Sequence, residues 1–209
     1  MRLFLVRHGE TDWNKERRIQ GATDIPLNSF GRYLAEETAK GLKAVSLDVC
    51  FSSPLMRAYE TAEIILRGRD VQIFADNRLI EMRFGEWEGK RCTKSSREVP
   101  ERFQDFFDNP EKYTPCEEGE DFAALKRRCE DFLSWLFGEE EYTDKNILIT
   151  THGCTLLALL MCIRRKPVSG FWGDGVHYNC GVTEVEVKGQ EARVISENQI
   201  YYHDEVEQW

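Results

Sequence analysis

The stretch Met1-Arg2-Leu3-Phe4-Leu5-Val6-Arg7-His8-Gly9-Glu10 decides how the rest of the chain is read. Leu3 to Val6 run apolar without a break between two arginines. A short unbroken apolar run reads as a strand buried on both faces, as in a parallel sheet. The chain leaves this strand, Arg2–Val6, through a histidine held against an arginine. Such a histidine is a candidate nucleophile with its own anion receptor. Taken alone, Arg7-His8-Gly9-Glu10 also fits a plain charged exit from a strand, so its partners must come from elsewhere.

Further elements follow outward from that strand. Ser29–Leu42 carries apolar residues near helical spacing, and Asp48–Ser52 reads as a second strand. Ser53 is a predicted N-cap and Pro54 a predicted first helical residue, with Leu55, Tyr59, Ala62 and Leu66 on one face. Val71–Phe74 and Asn146–Thr151 are further strands. The second of these leads through His152-Gly153 into a buried helix, Thr155–Ile163. Gly181–Val187 and Ala192–Glu197 read as a hairpin. Strands alternating with helices predict an α/β domain with a mostly parallel central sheet.

The 209 residues fit one domain, 1–209, without repeat or linker. A lid-like excursion is expected at about 90–121, with a short helix at Pro100–Phe107 and a longer helix beginning near Glu120. Arg97 to Asp121 holds three basic and nine acidic residues. A net charge of −9 argues against nucleic acid or an anionic membrane as partner. Met1-Arg2 and the short apolar run do not make a signal peptide, and no apolar stretch approaches the ~20 residues of a membrane span. Seven cysteines, an odd number with none spaced as CxxC, point to a reducing cytoplasm. Cys50, Cys154 and Cys162 read as core filler.

Ligands of open α/β sheets bind at the carboxyl ends of parallel strands. Arg7-His8 follows the first strand, Arg57 lies in the first turn after the second, and His152-Gly153 follows the fourth. These residues are therefore expected in one crevice. Arginine forks match phosphate oxygens and keep their charge, and N–H groups opening the helix at Gly153-Cys154 would add positive potential. Phosphate esters resist hydrolysis unless charge is stabilised by a metal or by arginines. The sequence has no metal-ligand cluster, GxxxxGK[ST] loop or GxGxxG turn, so arginines without metal or cofactor are the consistent choice. Phosphoryl transfer to His8 also needs a proton donor for the leaving group. Glu81, Glu86 and Glu88 all follow the third strand, and position alone does not choose among them.

Arg7-His8-Gly9-Glu10-Thr11 with Asn14, Gln20 to Leu27 with Gly31, Ser52 to Ala62, Leu79-Ile80-Glu81 with Gly85 to Gly89, and Thr151-His152-Gly153 together resemble the histidine phosphatase superfamily, also called phosphoglycerate mutase-like. The blocks stand in the family's order over nearly the whole chain. The resemblance implies a three-layer α/β/α sandwich and a metal-free reaction. It implies that His8 is phosphorylated, that Arg7, Arg57 and His152 hold the phosphoryl group, and that Glu81 is the acid and base. Asn14, Gln20, Gly21 and Gly153 match positions lining such sites. The implied substrate is a small phosphorylated metabolite and the product inorganic phosphate; oligomeric state is not legible.

Within that family the chain resembles the phosphatase branch. Cofactor-dependent phosphoglycerate mutases carry an arginine pair after the acid/base block, whereas Asp108–Glu120 here has Lys112 as its only cation. Cys154 stands where mutases usually have asparagine. A mutase is the alternative, and an inactive phospholigand-binding module a further one. Lys90, Arg91 and Lys94 are either a second anion contact or a solvated basic stretch. Trp87, Trp13 and Trp172 are pocket walls or packing anchors. His177 and Asn179 are candidates to reach the site from another strand, and His203 reads as exposed.

Overall fold

A computed structural model describes residues 1–93, 98–173 and 175–203. In chain order the elements are β1 (Arg2–Arg7), α1 (Asp12–Lys15), α2 (Ser29–Gly41), β2 (Val49–Ser52), α3 (Met56–Ile65), β3 (Ile73–Ala75), α4 (Asp105–Asp108), α5 (Phe122–Gly138), β4 (Asn146–Thr151), α6 (Gly153–Ile163), β5 (Val182–Lys188) and β6 (Glu191–Gln199). The strands form one sheet in the order β3-β2-β4-β1-β5-β6. β3, β2, β4 and β1 are mutually parallel, and the β5–β6 hairpin adds antiparallel to β1.

Alternation along the strands assigns the two faces. Leu3, Leu5, Phe51, Ile147 and Ile149 pack with Leu125, Phe132 and Leu136 of α5 and with Leu156 to Met161 of α6. Phe4, Val6, Cys50 and Leu148 point the other way, onto Leu42, Ala62 and Ile65. On that side Leu34 and Ala35 of α2 meet Ile64 of α3. The result is the expected three-layer α/β/α sandwich. Each such buried aliphatic or aromatic side chain contributes about 1.5–3 kcal/mol of transfer free energy. No helix among the described residues is long and apolar enough to cross a membrane.

Local capping explains several boundaries. Asn28 accepts from the Gly31 N–H at 2.7 Å to start α2, and Asp121 accepts from Ala124 N–H at 2.6 Å to start α5. The expected N-cap at Ser53 is not formed: α3 begins at Met56, with Leu55 in extended conformation as its cap residue. Ser53 is occupied elsewhere, as shown below. The expected helix over Pro100–Phe107 is a 3₁₀ turn, Glu101–Gln104, continuing into α4.

Register positions the site. Arg7 pairs with Thr151 across β1 and β4, so His8 and His152 leave adjacent parallel strands at the same level. Ser52 pairs with Thr150, which brings Ser53 alongside them. The chain after β1 runs to α2 on one face and the chain after β4 to α6 on the other. A crevice opens where neighbouring connections part to opposite faces.

Candidate active site

His8 is buried and held from both sides. Its N–H donates to Thr151 O at 2.9 Å, and its carbonyl accepts from Asn179 Nδ2 at 2.8 Å. The next peptide, Gly9 N–H, donates to Thr61 Oγ1 at 3.0 Å. In the ring, Nδ1 lies 2.7 Å from Gly9 O. A carbonyl only accepts, so Nδ1 carries the proton and Nε2 keeps its lone pair. Burial, then the charges of Arg57 and Arg7, hold the imidazole well below the ordinary 6.5, so it is neutral at neutral pH.

The His152 ring lies 5.1 Å from the His8 ring, centroid to centroid. Its Nε2 is 2.7 Å from Ser53 Oγ, and its Nδ1 has no partner. Burial, then Arg57, keep this histidine neutral as well. Arg57 is fully buried at the start of α3. Its Nη1 and Nη2 donate at 2.8 Å to the carbonyls of Thr23 and Gly21. Burial lowers it to about 10, with Glu81 the largest influence raising it, so it stays charged. Arg7 Nη1 donates at 2.6 Å to His177 O. The Nε of both arginines is buried without a partner. Buried donors are ordinarily satisfied, so the unpartnered Nε groups of Arg7 and Arg57 suit an anion, and His152 Nδ1 joins them as a donor where Ser53 donates to Nε2.

The three carboxylates separate by what they touch. Glu81 is buried at the N-terminus of α6, where Oε1 accepts from Met82 N–H at 2.9 Å and Thr155 N–H at 3.1 Å. Its Oε2 accepts from Cys154 N–H at 3.1 Å. The helix N–H groups expected to face the anion therefore hold Glu81. Glu88 ties two loops together, accepting from Ala22, Thr23 and Phe84 N–H and from the Thr23 hydroxyl. Glu86 is exposed.

Every residue expected at the site except His152 lines one cavity of about 390 Å³: Arg7, His8, Asn14, Gln20, Gly21, Arg57, Glu81 and Gly153. Asn14 Oδ1 and Gln20 Oε1 share the single proton of the Thr11 hydroxyl, at 3.1 and 3.0 Å, which ties both side chains to the loop after His8. Gly21 has φ +54°, a conformation that favours glycine, and its carbonyl grips Arg57. A Cβ on Gly153 would stand 3.7 Å from Glu81 Oε2 and 3.8 Å from Arg7 Nε. The missing side chain thus keeps the carboxylate and the arginine open to the same space.

Other expectations divide. Trp87 is a packing anchor, 5.2 Å from Phe103 between ring centroids and outside the cavity lining. Trp172 does line the cavity, while Trp13 packs against Gly89. His177 serves through its carbonyl, and its ring faces Glu197 and Thr183. Lys90 and Arg91 are not among the lining residues, Lys94 lies outside the described residues, and His203 is exposed. The cysteines are free; Cys154 is buried at the cavity wall, and burial pushes its thiol well up. Ser53, Thr61 and Thr155 had no signal as supports of the site, since a hydroxyl's role depends on what the fold sets opposite it. Among the described residues no three His, Cys, Asp or Glu side chains group so as to hold a metal ion.

Comparisons with known proteins bear on the family and the fold. Residues 3–200 match the family described as the histidine phosphatase superfamily (branch 1). Phosphoserine phosphatase 1 of Hydrogenobacter thermophilus is 30% identical over 175 residues, 84% of this chain and 82% of that one. Adenosylcobalamin/alpha-ribazole phosphatase of Salmonella typhimurium is 33% identical over 181 residues, 86% of this chain and 88% of that one. The solved structure of Bacillus stearothermophilus YhfR superimposes with a TM-score of 0.88 at 36% identity, covering 95% of this chain and 97% of that one. With the match spanning nearly all of its length, the chain belongs to the histidine phosphatase superfamily, branch 1.

Proposed function

We propose that the protein is a metal-independent phosphatase that hydrolyses a small phosphomonoester through a phosphohistidine on His8. The observation that carries this reading is the set of unpartnered buried nitrogens, Arg7 Nε, Arg57 Nε and His152 Nδ1, around a neutral His8. Phosphatase names among the relatives support the same reaction class.

In the first step His8 Nε2 attacks phosphorus and the ester P–O bond breaks. The departing alkoxide takes a proton from the Glu81 carboxyl group. The positive charge gained by the imidazole is shared with Gly9 O through Nδ1–H. Arg7, Arg57 and His152 Nδ1–H bind the non-bridging oxygens as charge spreads over them. In the second step water gives a proton to the Glu81 carboxylate and attacks phosphorus. The N–P bond breaks, inorganic phosphate leaves and His8 returns to its lone-pair form.

The test is hydrolysis of p-nitrophenyl phosphate with EDTA present, together with trapping of labelled phosphate on the protein. Wild type is expected to turn over and to label, and His8→Ala to do neither. Undiminished hydrolysis by His8→Ala refutes the mechanism. Interconversion of 2- and 3-phosphoglycerate with a long-lived phosphoenzyme would favour a mutase, and binding without label an inactive module.

A further inference from the structure

The cavity that receives the phosphoryl group continues outward into a different chemical environment. Beyond Arg7, His8 and Arg57 its wall is made by Phe84, Phe103, Phe106, Phe107 and Trp172, with Ile19. The aromatic wall comes from three separate parts of the chain, around Phe84, Phe106 and Trp172, and the last two are fastened together. Trp172 Nε1–H donates to Phe106 O at 2.7 Å, and its ring meets those of Phe106 and Phe107 at 4.9 and 5.6 Å. Phe103 stacks on Phe106 at 5.1 Å within the same wall.

Among the described lining residues, the only cation besides Arg7 and Arg57 is Arg18. It is already engaged: Nε lies 2.6 Å from Glu16 Oε2, and Nη1 donates to Gly89 O at 2.7 Å. Among the described residues, a leaving group with its own carboxylate therefore meets aromatic rings and no unengaged cation as it loses its hydration. An unpaired charge in such surroundings is strongly disfavoured, whereas a ring gains contact with both faces and edges of the wall. At about 390 Å³ the cavity lies near the small end of the ~300–1,000 Å³ that ligand pockets span, enough for a phosphate and one ring-sized body.

We infer that the substrate is a phosphomonoester whose leaving group is an apolar, ring-bearing alcohol without a second anionic group, held by the wall of Phe84, Phe103, Phe106, Phe107 and Trp172. This inference rests on the phosphatase reading above and deepens it.

The test compares 2-phenylethyl phosphate with O-phosphoserine and 3-phosphoglycerate, all alkyl esters, so that leaving-group reactivity does not decide the order. The full-length protein is expected to favour 2-phenylethyl phosphate in kcat/KM by about tenfold or more. Phe107→Ala, at the exposed rim, is expected to reduce that preference several-fold through KM. Calorimetry on His8→Ala reads the same order as binding without turnover, with 2-phenylethyl phosphate the tighter ligand. A preference for phosphoserine or 3-phosphoglycerate, or a Phe107→Ala effect equal on all three, overturns the leaving-group assignment alone. Absence of turnover and of label on His8 refutes the phosphatase reading, and the calorimetric order then still decides whether the wall selects apolar phosphate esters.

Discussion

Ser53 Oγ lies 2.7 Å from His152 Nε2, and this contact sets the free end of the second histidine. If the hydroxyl donates to Nε2, the proton on Nδ1 is available to a phosphoryl oxygen. Ser53→Ala removes that control. Its kcat on p-nitrophenyl phosphate is expected to fall about tenfold, the equivalent of one ~1.4 kcal/mol interaction, while Ser53→Thr keeps most of it. Equal rates for Ala and wild type would contradict this role.

Thr61 supports the peptide that follows His8. Its hydroxyl accepts from Gly9 N–H at 3.0 Å and donates to Arg57 O at 2.6 Å. Thr61→Val keeps the shape and leaves a buried N–H unsatisfied, at a cost of about 1–3 kcal/mol. Urea unfolding should show this loss, with Thr61→Ser close to wild type.

Glu88 reaches Arg57 and the proposed anion site through a loop. Its carboxylate gathers donors from Ala22, Thr23 and Phe84, and thereby holds the loop whose Gly21 and Thr23 carbonyls grip Arg57. Glu88→Gln sets an NH₂ against those donors. Competitive inhibition by inorganic phosphate is expected to weaken about tenfold, in line with loss of a charge-assisted contact of ~1.5 kcal/mol. An unchanged inhibition constant would show that the loop holds Arg57 without it.

Stability should fall as the solution is acidified. Burial first, then neighbouring charge, holds His8 and His152 well below the ordinary 6.5 in the folded protein. Below that pH the unfolded chain takes up protons that the folded chain refuses, so unfolding gains. Each histidine contributes up to ~1.4 kcal/mol per pH unit in the window just below 6.5. Urea midpoints measured from neutral pH to about pH 5 should decline, less steeply in His152→Gln. A flat profile would mean that the imidazoles are reached by solvent.

Much of the fold was legible because each buried strand is a run such as Leu3-Phe4-Leu5-Val6 whose two faces both need cover. The register of β1 on β4 then brings Arg7, His8 and His152 together, and Arg57 follows from α3 starting beside them. The start of α3 was misjudged because Ser53 and Pro54 satisfy the local rules for a helix start, while the fold sets His152 against that hydroxyl. Glu81, Glu86 and Glu88 could not be sorted without side-chain directions. The aromatic wall was hidden for a related reason: it exists only when the segment around Phe106 meets Trp172, and no local pattern announces such a meeting.

The place of β1 in the sheet has a consequence for biosynthesis. Both of its neighbours, β4 and β5, come from the last third of the chain. At roughly 5–20 residues per second, the strand leading into His8 waits on the order of ten seconds on the ribosome with both edges unpaired. His8 is therefore made well before the strands that complete its setting. A polypeptide interrupted before Asn146 carries an exposed, sticky strand and no site, which makes the incomplete chain a client for chaperones rather than a partial enzyme.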